Sequence, residues 1–554
     1  MYNVLIGGAA GQGIDTTAAV LEMLLKKSGY HVFTIRDFMS RVRGGHNFTL
    51  IRFGLENIQS HSYKLDGIIA LNDETVELHK DQIHDNGFIL CDSKLTTTDP
   101  RVIKIDIEAI ALALGNPRIS GSVAVGAVLR IFSESTDYFE EALKAFVKES
   151  VVEVNLKAMI KGYNAVRAIF PRLEGDAGGS MILSGSKAMA LGAVAAGLRF
   201  YSAYPMSPST SLMENLAEYG QAAGIVVEQA EDEIAAINMA IGASYAGARS
   251  MTGTSGGGFS LMVEALGLSG MAEIPLVVVD VQRPGPVTGL PTRTEQSDLA
   301  FVISASQGEF PRMVIALRHH EDIFYQTIRA FDLAEKYQIP VILLSDQYLA
   351  DASATVRPFD LNHIYVAEAA AENQGGGEYL RYRYTDDGIS PRLIPGKSNN
   401  FVSADSDEHD EKGRITESGE VRIRMMDKRM KKLEKLELEL QEPDFIGSPA
   451  YDTLLVGWGS TYGPISEAVG ILNKNESGKY AALLFGDVCP LPTKLLMEKS
   501  VSAKRIINVE QNATGQLAGL IREHTCIFCT SSILKYDGRQ ISGEEIADTL
   551  MKGV

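Results

Sequence analysis

Several polar side chains stand at turns between apolar runs, where they could meet a small anionic substrate. In Tyr204-Pro205-Met206-Ser207-Pro208-Ser209-Thr210, two prolines flank Ser207 and fix an extended turn. Ser209 suits the N-cap of a following helix, so the Ser207 hydroxyl would be held where it can donate to a carboxylate. A proline-rich capping loop would read the same way. Glu228-Gln229-Ala230-Glu231-Asp232-Glu233 ends a β run and opens the apolar stretch 234–242. Followed by small residues, Glu233 can be buried, and a buried carboxyl has the raised pKa that suits sharing a proton with a ring nitrogen. Glu231 is the alternative carboxyl, and plain compensation of a helix dipole is the alternative reading. Thr254 and Ser255 lie in Gly253-Thr254-Ser255-Gly256-Gly257-Gly258, and Arg283 in Gln282-Arg283-Pro284-Gly285-Pro286, upstream of Thr292. A guanidinium matches a carboxylate bidentately, although an arginine at a strand end often forms only a surface ion pair.

A second cluster lies near the N-terminus. Gly8, Gly11 and Gly13 give the order G-x-x-G-x-G, which is not the dinucleotide fingerprint, and no lysine follows to make a P-loop. Gly11, Gln12 and Gly13, with Arg43 in the basic loop Arg43-Gly44-Gly45-His46, form a candidate CoA or anion loop; a structural tight turn is the alternative. Cys526-Ile527-Phe528-Cys529, beside His524, reads as ordinary cysteines, and no metal site is assigned to this chain.

The elements that must position these groups are α/β throughout. Residues 2–35 read strand, glycine turn, helix and strand, and the alternation continues to about 168, giving a domain over 1–175. Helical patterns at 187–197, 209–223, 233–247 and 262–272 separate apolar runs at 225–228, 276–281 and 341–345, which predicts a parallel sheet over 181–351. Residues 352–450 lack that rhythm; they include the glycine stretch 373–377 and a charged run, 424–442, that reads as a solvated helix in a linker region. Strands at 453–456, 480–485 and 505–509 predict a C-terminal α/β domain over 451–554.

The 554 residues suffice for several cores, and 45% hydrophobic with 22% charged residues is an ordinary globular balance. A net charge of −18 disfavours nucleic acid as a partner. With neither a leader pattern nor an apolar run long enough to span a membrane, the expected location is the cytoplasm.

The order and wording of these motifs resemble the 2-oxoacid:ferredoxin oxidoreductases along nearly the whole chain. Gly-Ala-Ala-Gly-Gln-Gly at 8–13 and Arg-Gly-Gly at 43–45 resemble the family's γ domain. The tyrosine-proline loop, the Glu233 helix, 252–255 and 282–286 resemble its α subunit, as do Asp-Gly-Ile-Ser-Pro-Arg at 387–392, Glu-His-Asp at 408–410, Gly-Trp-Gly-Ser at 457–460 and Glu-Gln-Asn-Ala-Thr-Gly-Gln at 510–516. The resemblance implies a γ-type domain, a thiamine-enzyme pyrimidine-binding domain and a transketolase-C-like domain. It implies oxidative decarboxylation of a 2-oxoacid with CoA as acyl acceptor and ferredoxin as electron acceptor. Glu233 then corresponds to the glutamate that activates thiamine diphosphate, with Glu231 as fallback. Arg283, Thr292 and Ser207 correspond to substrate contacts, with serine standing where the family usually has threonine. Tyr204, Pro205, Thr254 and Ser255 correspond to cofactor contacts. A Gly-Asp-Gly motif for Mg2+ and diphosphate is missing, and four cysteines cannot ligate a ferredoxin-type cluster set. Mg2+ and [4Fe-4S] are therefore expected on a separate β subunit within a hetero-oligomer. Fused γ and α parts look most like the 2-oxoglutarate branch; branched-chain 2-oxoacids and pyruvate are the alternatives.

Overall fold

Short apolar runs bounded by glycine pair into three sheets in the computed structural model, which describes residues 1–39, 45–362, 364, 366, 378–475 and 479–553. Arg43 and the glycine stretch 373–377 lie outside the described residues. Two units divide the chain: Met1–Ser184 with Asp351–Phe359, and Gly185–Ala350 with Asp360–Val554. Among the described residues no helix is long and apolar enough to cross a membrane.

The first unit is built on an eight-stranded mixed sheet. Tyr2–Ala9, Leu65–Ala70, Ile83–Asp92 and Val102–Ile105 run parallel, while His46–Gly54 pairs antiparallel with both Tyr2–Ala9 and His31–Asp37. Residues 181–184, expected to open the next domain, instead pair antiparallel with Ser353–Val356, which pairs with His31–Asp37. A four-residue apolar run carries no mark of which sheet it will join; the open edge of the first sheet decides.

The second unit holds a seven-stranded sheet in the order Asp487–Cys489, Met313–Ala316, Pro340–Asp346, Leu276–Gln282, Ser250–Thr254, Phe200–Ala203, Val226–Gln229. All are parallel except Asp487–Cys489. That exception comes from the C-terminal segment, so residues expected to form two separate domains share one sheet and one hydrophobic core. A five-stranded sheet, Asp444–Gly447, Tyr480–Phe485, Thr453–Trp458, Arg505–Glu510 and Ser531–Leu534, completes the unit.

The charged run expected as a solvated helix is the helix Gly419–Leu436, and one face of it is buried. Lys428 and Lys432 stand one turn apart and reach the same fully buried carboxylate, Glu273, at 2.7 and 2.6 Å. Arg429 pairs with Glu408 at 2.9 Å. Burial pushes the Glu273 carboxyl up, but Lys432, Lys428 and Arg381 outweigh it and hold its pKa below the usual range. Charge docks this helix together with the buried Met425 and Leu436, and hydropathy misread it because half-charged buried faces score as solvent-facing. Glu273→Ala should therefore lower the stability of the second unit by roughly 3–5 kcal/mol, because it strands two buried ammoniums. Lys432→Met, which leaves the Lys428 pair intact, should cost clearly less. Urea unfolding of the two variants checks the order.

Candidate active site

Parallel strands deliver their C-terminal turns to one edge of a sheet, where open α/β folds gather ligands. Four neighbouring strands of the second unit do so here: Leu276–Gln282, Ser250–Thr254, Phe200–Ala203 and Val226–Gln229. The tyrosine-proline loop, the Glu233 segment, the glycine turn 253–258 and the Arg283 turn each follow one of them.

Glu233 is the first residue of the helix Glu233–Tyr245, whose start is fixed by Asp232, with Oδ1 accepting from the Ala235 N–H at 2.7 Å. Glu233 is 3% exposed and its Oε1 is buried without a hydrogen-bond partner. Glu231, by contrast, is exposed. The glycine turn 256–258 opens the helix Gly256–Met271 against this carboxyl. A Cβ at Gly258 would fall 2.1 Å from Thr254 Oγ1 and 2.5 Å from Glu233 Oε1, so only glycine fits there. Thr254 and Ser255 are fully buried; the Ser255 hydroxyl has no partner and does not cap the helix.

Arg283 and Ser207 are also brought together. The guanidinium donates from Nη1 to the Ser207 carbonyl at 2.6 Å, while its Nε is buried and unpartnered. Burial lowers the Arg283 pKa from its ordinary value. Ser207 itself is exposed, Pro205 is half-buried, and Tyr204 is 40% exposed. Ser209 is not the expected side-chain cap: its hydroxyl donates to the Met206 carbonyl at 2.7 Å. The reason is local, since Ser209 already has helical backbone angles, and capping by a side chain needs an extended residue. Thr292 is half-buried in a loop that includes the 85% exposed Val287.

Sequence reasoning missed a set of acids around the same strand ends. Asp280 is fully buried in Leu276–Gln282, and burial followed by the charge of Asp298 raises its pKa well above normal. Burial pushes Asp298 up to about 6 and Asp346 up to about 6. A lone carboxyl in the run Leu-Val-Val-Val-Asp-Val-Gln was the available signal. Also unanticipated is an amide clamp. Gln296 donates to the Gln511 carbonyl through its backbone at 2.7 Å and to the Trp458 carbonyl through Nε2 at 2.8 Å, while Asn512 Nδ2 donates to the Gln296 carbonyl at 3.0 Å.

In the first unit, Gly11 and Gly13 line a cavity of about 530 Å3 together with Thr16, Arg36 and Asn47. Both glycines have positive φ, 91° and 79°, and nothing lies within 4 Å of a Cβ added to either; backbone conformation, not crowding, demands them. Gln12 is used internally: its Oε1 accepts from the Ala9 N–H at 2.6 Å and its Nε2 donates to the Leu71 carbonyl at 3.3 Å.

Comparison with known proteins identifies the family. Residues 191–428 match the family model described as "Pyruvate flavodoxin/ferredoxin oxidoreductase, thiamine diP-bdg", and residues 3–165 the one described as "Pyruvate ferredoxin/flavodoxin oxidoreductase". The chain is 32% identical to the 2-oxoacid:ferredoxin oxidoreductase subunit alpha of a Sulfolobus species, over 99% of this chain and 96% of that protein. It is 31% identical to the 2-oxoglutarate oxidoreductase subunit KorA of Mycobacterium tuberculosis, over 79% of this chain and 69% of that protein. Among solved structures, the 2-oxoglutarate:ferredoxin oxidoreductase from Magnetococcus marinus, with 2-oxoglutarate, coenzyme A and succinyl-CoA bound, is similar with a TM-score of 0.93 at 31% identity, covering 100% of this chain and 99% of that one. The chain therefore belongs to the 2-oxoacid:ferredoxin oxidoreductase family, as an alpha-type subunit with a thiamine-diphosphate-binding domain.

Proposed function

We propose that this subunit supplies the aminopyrimidine side of a thiamine-diphosphate site that oxidatively decarboxylates 2-oxoglutarate, releasing CO2, forming succinyl-CoA and passing the electrons to ferredoxin. The observation that carries the reading is the buried, unpartnered Glu233 Oε1 beside a turn kept free of side chains by Gly258. A buried carboxyl that receives no hydrogen bond from its own chain suits a protonated aminopyrimidine ring nitrogen as donor. When bound, thiamine diphosphate supplies a carbon nucleophile and an electron sink for the decarboxylation. Glu233 would hold and move the proton at the ring nitrogen, while Thr254, Ser255, Tyr204 and Pro205 would shape the wall around it. Arg283 would bind the oxoacid carboxylate with its free Nε edge, and Ser207 and Thr292 would add hydroxyl donors.

The choice of 2-oxoglutarate follows the relatives named for it. Mg2+, the diphosphate and [4Fe-4S] are assigned to a separate β subunit, because Cys91, Cys489, Cys526 and Cys529 are too few and too scattered for a cluster set. The glycine loop with Gly11, Gln12, Gly13 and Arg43 is proposed as the CoA or anion contact, and the complex as cytoplasmic.

Anaerobically purified complex with its β subunit should reduce a viologen when given 2-oxoglutarate, thiamine diphosphate and CoA together, and much more slowly with pyruvate or 2-oxoisovalerate; equal rates would remove the substrate assignment. In that complex Glu233→Gln should slow turnover by about 10²–10⁴-fold and slow exchange of the cofactor's C2 proton, with unfolding unchanged. Glu231→Gln should leave both near normal, and the reverse pattern would exchange the two roles. Arg283→Ala should raise KM for the oxoacid at least about tenfold, without a matching change for thiamine diphosphate. Equal losses would make Arg283 a support for the Ser207 loop alone.

A further inference from the structure

Gln282 is the last residue of the strand Leu276–Gln282 and stands immediately before Arg283. It is 1% exposed, and both ends of its amide are used. Nε2 donates to the Ser345 carbonyl at 2.9 Å, and Oε1 accepts from the Asp298 N–H at 3.0 Å. The first bond ties it to the neighbouring strand Pro340–Asp346, where the parallel register sets Gln282 level with Asp346. The second ties it to the residue that precedes the helix Leu299–Ser304. One side chain thus joins three chain segments at the point where the strand ends.

What leaves that point is Arg283. Its Nη1 donates to the Ser207 carbonyl at 2.6 Å, and Ser207 lies in the loop that follows Phe200–Ala203. The strand Ser250–Thr254 separates the two strands, so the guanidinium crosses about 10 Å of sheet, two strand spacings, to meet its acceptor. An arginine stretched over such a span has little slack, and a shift of about 1 Å at its anchor carries the contact beyond hydrogen-bond range. We infer that Gln282 is a positioning residue for Arg283, its two hydrogen bonds fixing the backbone from which the guanidinium reaches the Ser207 loop and, with its unpartnered Nε edge, the carboxylate of the oxoacid. The oxoacid part rests on the function proposed above; the hold on the Ser207 loop does not.

An amide is the side chain this place requires. Alternate residues of a strand share a face, so Gln282 points the same way as Asp280, which is fully buried with neither carboxyl oxygen partnered. Asp298 Oδ2 is buried and unpartnered as well, and Asp346 is buried. A carboxylate at position 282 would add a charge to these acids, and a lysine would offer the Asp298 N–H no acceptor. Glutamine supplies one donor and one acceptor and carries no charge. The hold also extends behind Asp298 to the residues that follow the strand Arg505–Glu510. The Gln296 N–H donates to the Gln511 carbonyl at 2.7 Å, and Gln516 Nε2 to the Ser297 carbonyl at 2.8 Å.

Gln282→Met keeps most of the volume and removes the amide. In the full chain without cofactor or substrate, amide exchange over 204–209 should quicken at least about tenfold, as it should in Arg283→Ala, because either change releases the Ser207 carbonyl. The double variant should exchange no faster than Arg283→Ala, since residues that act through one contact are not additive. Exchange left unaltered by Gln282→Met, additive rises, or no rise in Arg283→Ala overturns the inference. Should Gln282→Met not fold, the parent chain still tests the anchor: the Asp298 amide should exchange at least about 100-fold more slowly than an unbonded loop amide, and rapid exchange overturns it. In active complex, Gln282→Met should raise the oxoacid KM at least about fivefold, with kcat and the thiamine diphosphate KM within about twofold. Equal changes in both KM values overturn the positioning role. A complex that oxidises no oxoacid would remove the proposed function, while the exchange measurements would still decide the hold of Gln282 on Arg283.

Discussion

A charge can be buried only where something answers it, and that constraint organises the second unit. Glu510 shows the rule satisfied within the chain: its carboxylate, fully buried, accepts from Trp458 Nε1, Asn508 Nδ2, Asn512 Nδ2 and the N–H groups of Leu517 and Ala518. Glu273 is answered by two lysines, Asp487 by Arg329 at 2.6 Å, and Glu335 by Arg392 at 2.6 Å. Glu233 Oε1, Arg283 Nε and the Asp280 carboxyl have no such answer, and all three lie at or beside the ends of strands of one sheet. Buried polar groups that the chain leaves unanswered at one edge of a sheet suit a site for a polar ligand.

The five-stranded sheet serves that edge by fixing it with groups that do not titrate. Gln296, Gln511, Asn512 and Gln540 each offer a donor and an acceptor, so a chain of amides can close on itself in the interior without a net charge. Through Gln296 this chain grips the segment that carries Asp298, and through Gln282 the same segment meets the end of the strand that Arg283 follows. A rigid, neutral clamp behind acids with shifted pKa values keeps their titration from being shared with the support. The C-terminal segment is therefore joined to the seven-stranded sheet in packing, which fits their common hydrophobic core.

Much of this was legible from residue types. Glycine turns after apolar runs located the strand ends, and burial separates Glu233 from Glu231 in the sense that the small residues after Glu233 suggested. The contact between Arg283 and the Ser207 loop was not legible, because it joins turns far apart in sequence. Ser209 misled because a serine before a helix is a cap only if its backbone is extended. The helix Gly419–Leu436 misled because its buried face is largely charged, and hydropathy counts Lys428 and Lys432 as solvent-facing whatever waits opposite them. Strand 181–184 misled because edge pairing is decided by the neighbouring sheet.

Asp280 shows how the same chemistry hides in plain sight. In a strand of otherwise apolar residues a single acid breaks the pattern by one position, too little to alter the prediction of a strand. Yet a parallel strand buried on both faces gives such a side chain no route to water. Its cost must be met by a proton, and the loop that follows the strand adds to that cost, because Asp298 as well as burial raises the Asp280 pKa. The feature that matters is therefore the conflict between an unremarkable local pattern and an unaffordable buried charge, and the conflict becomes visible only once the loop returning to the strand is known.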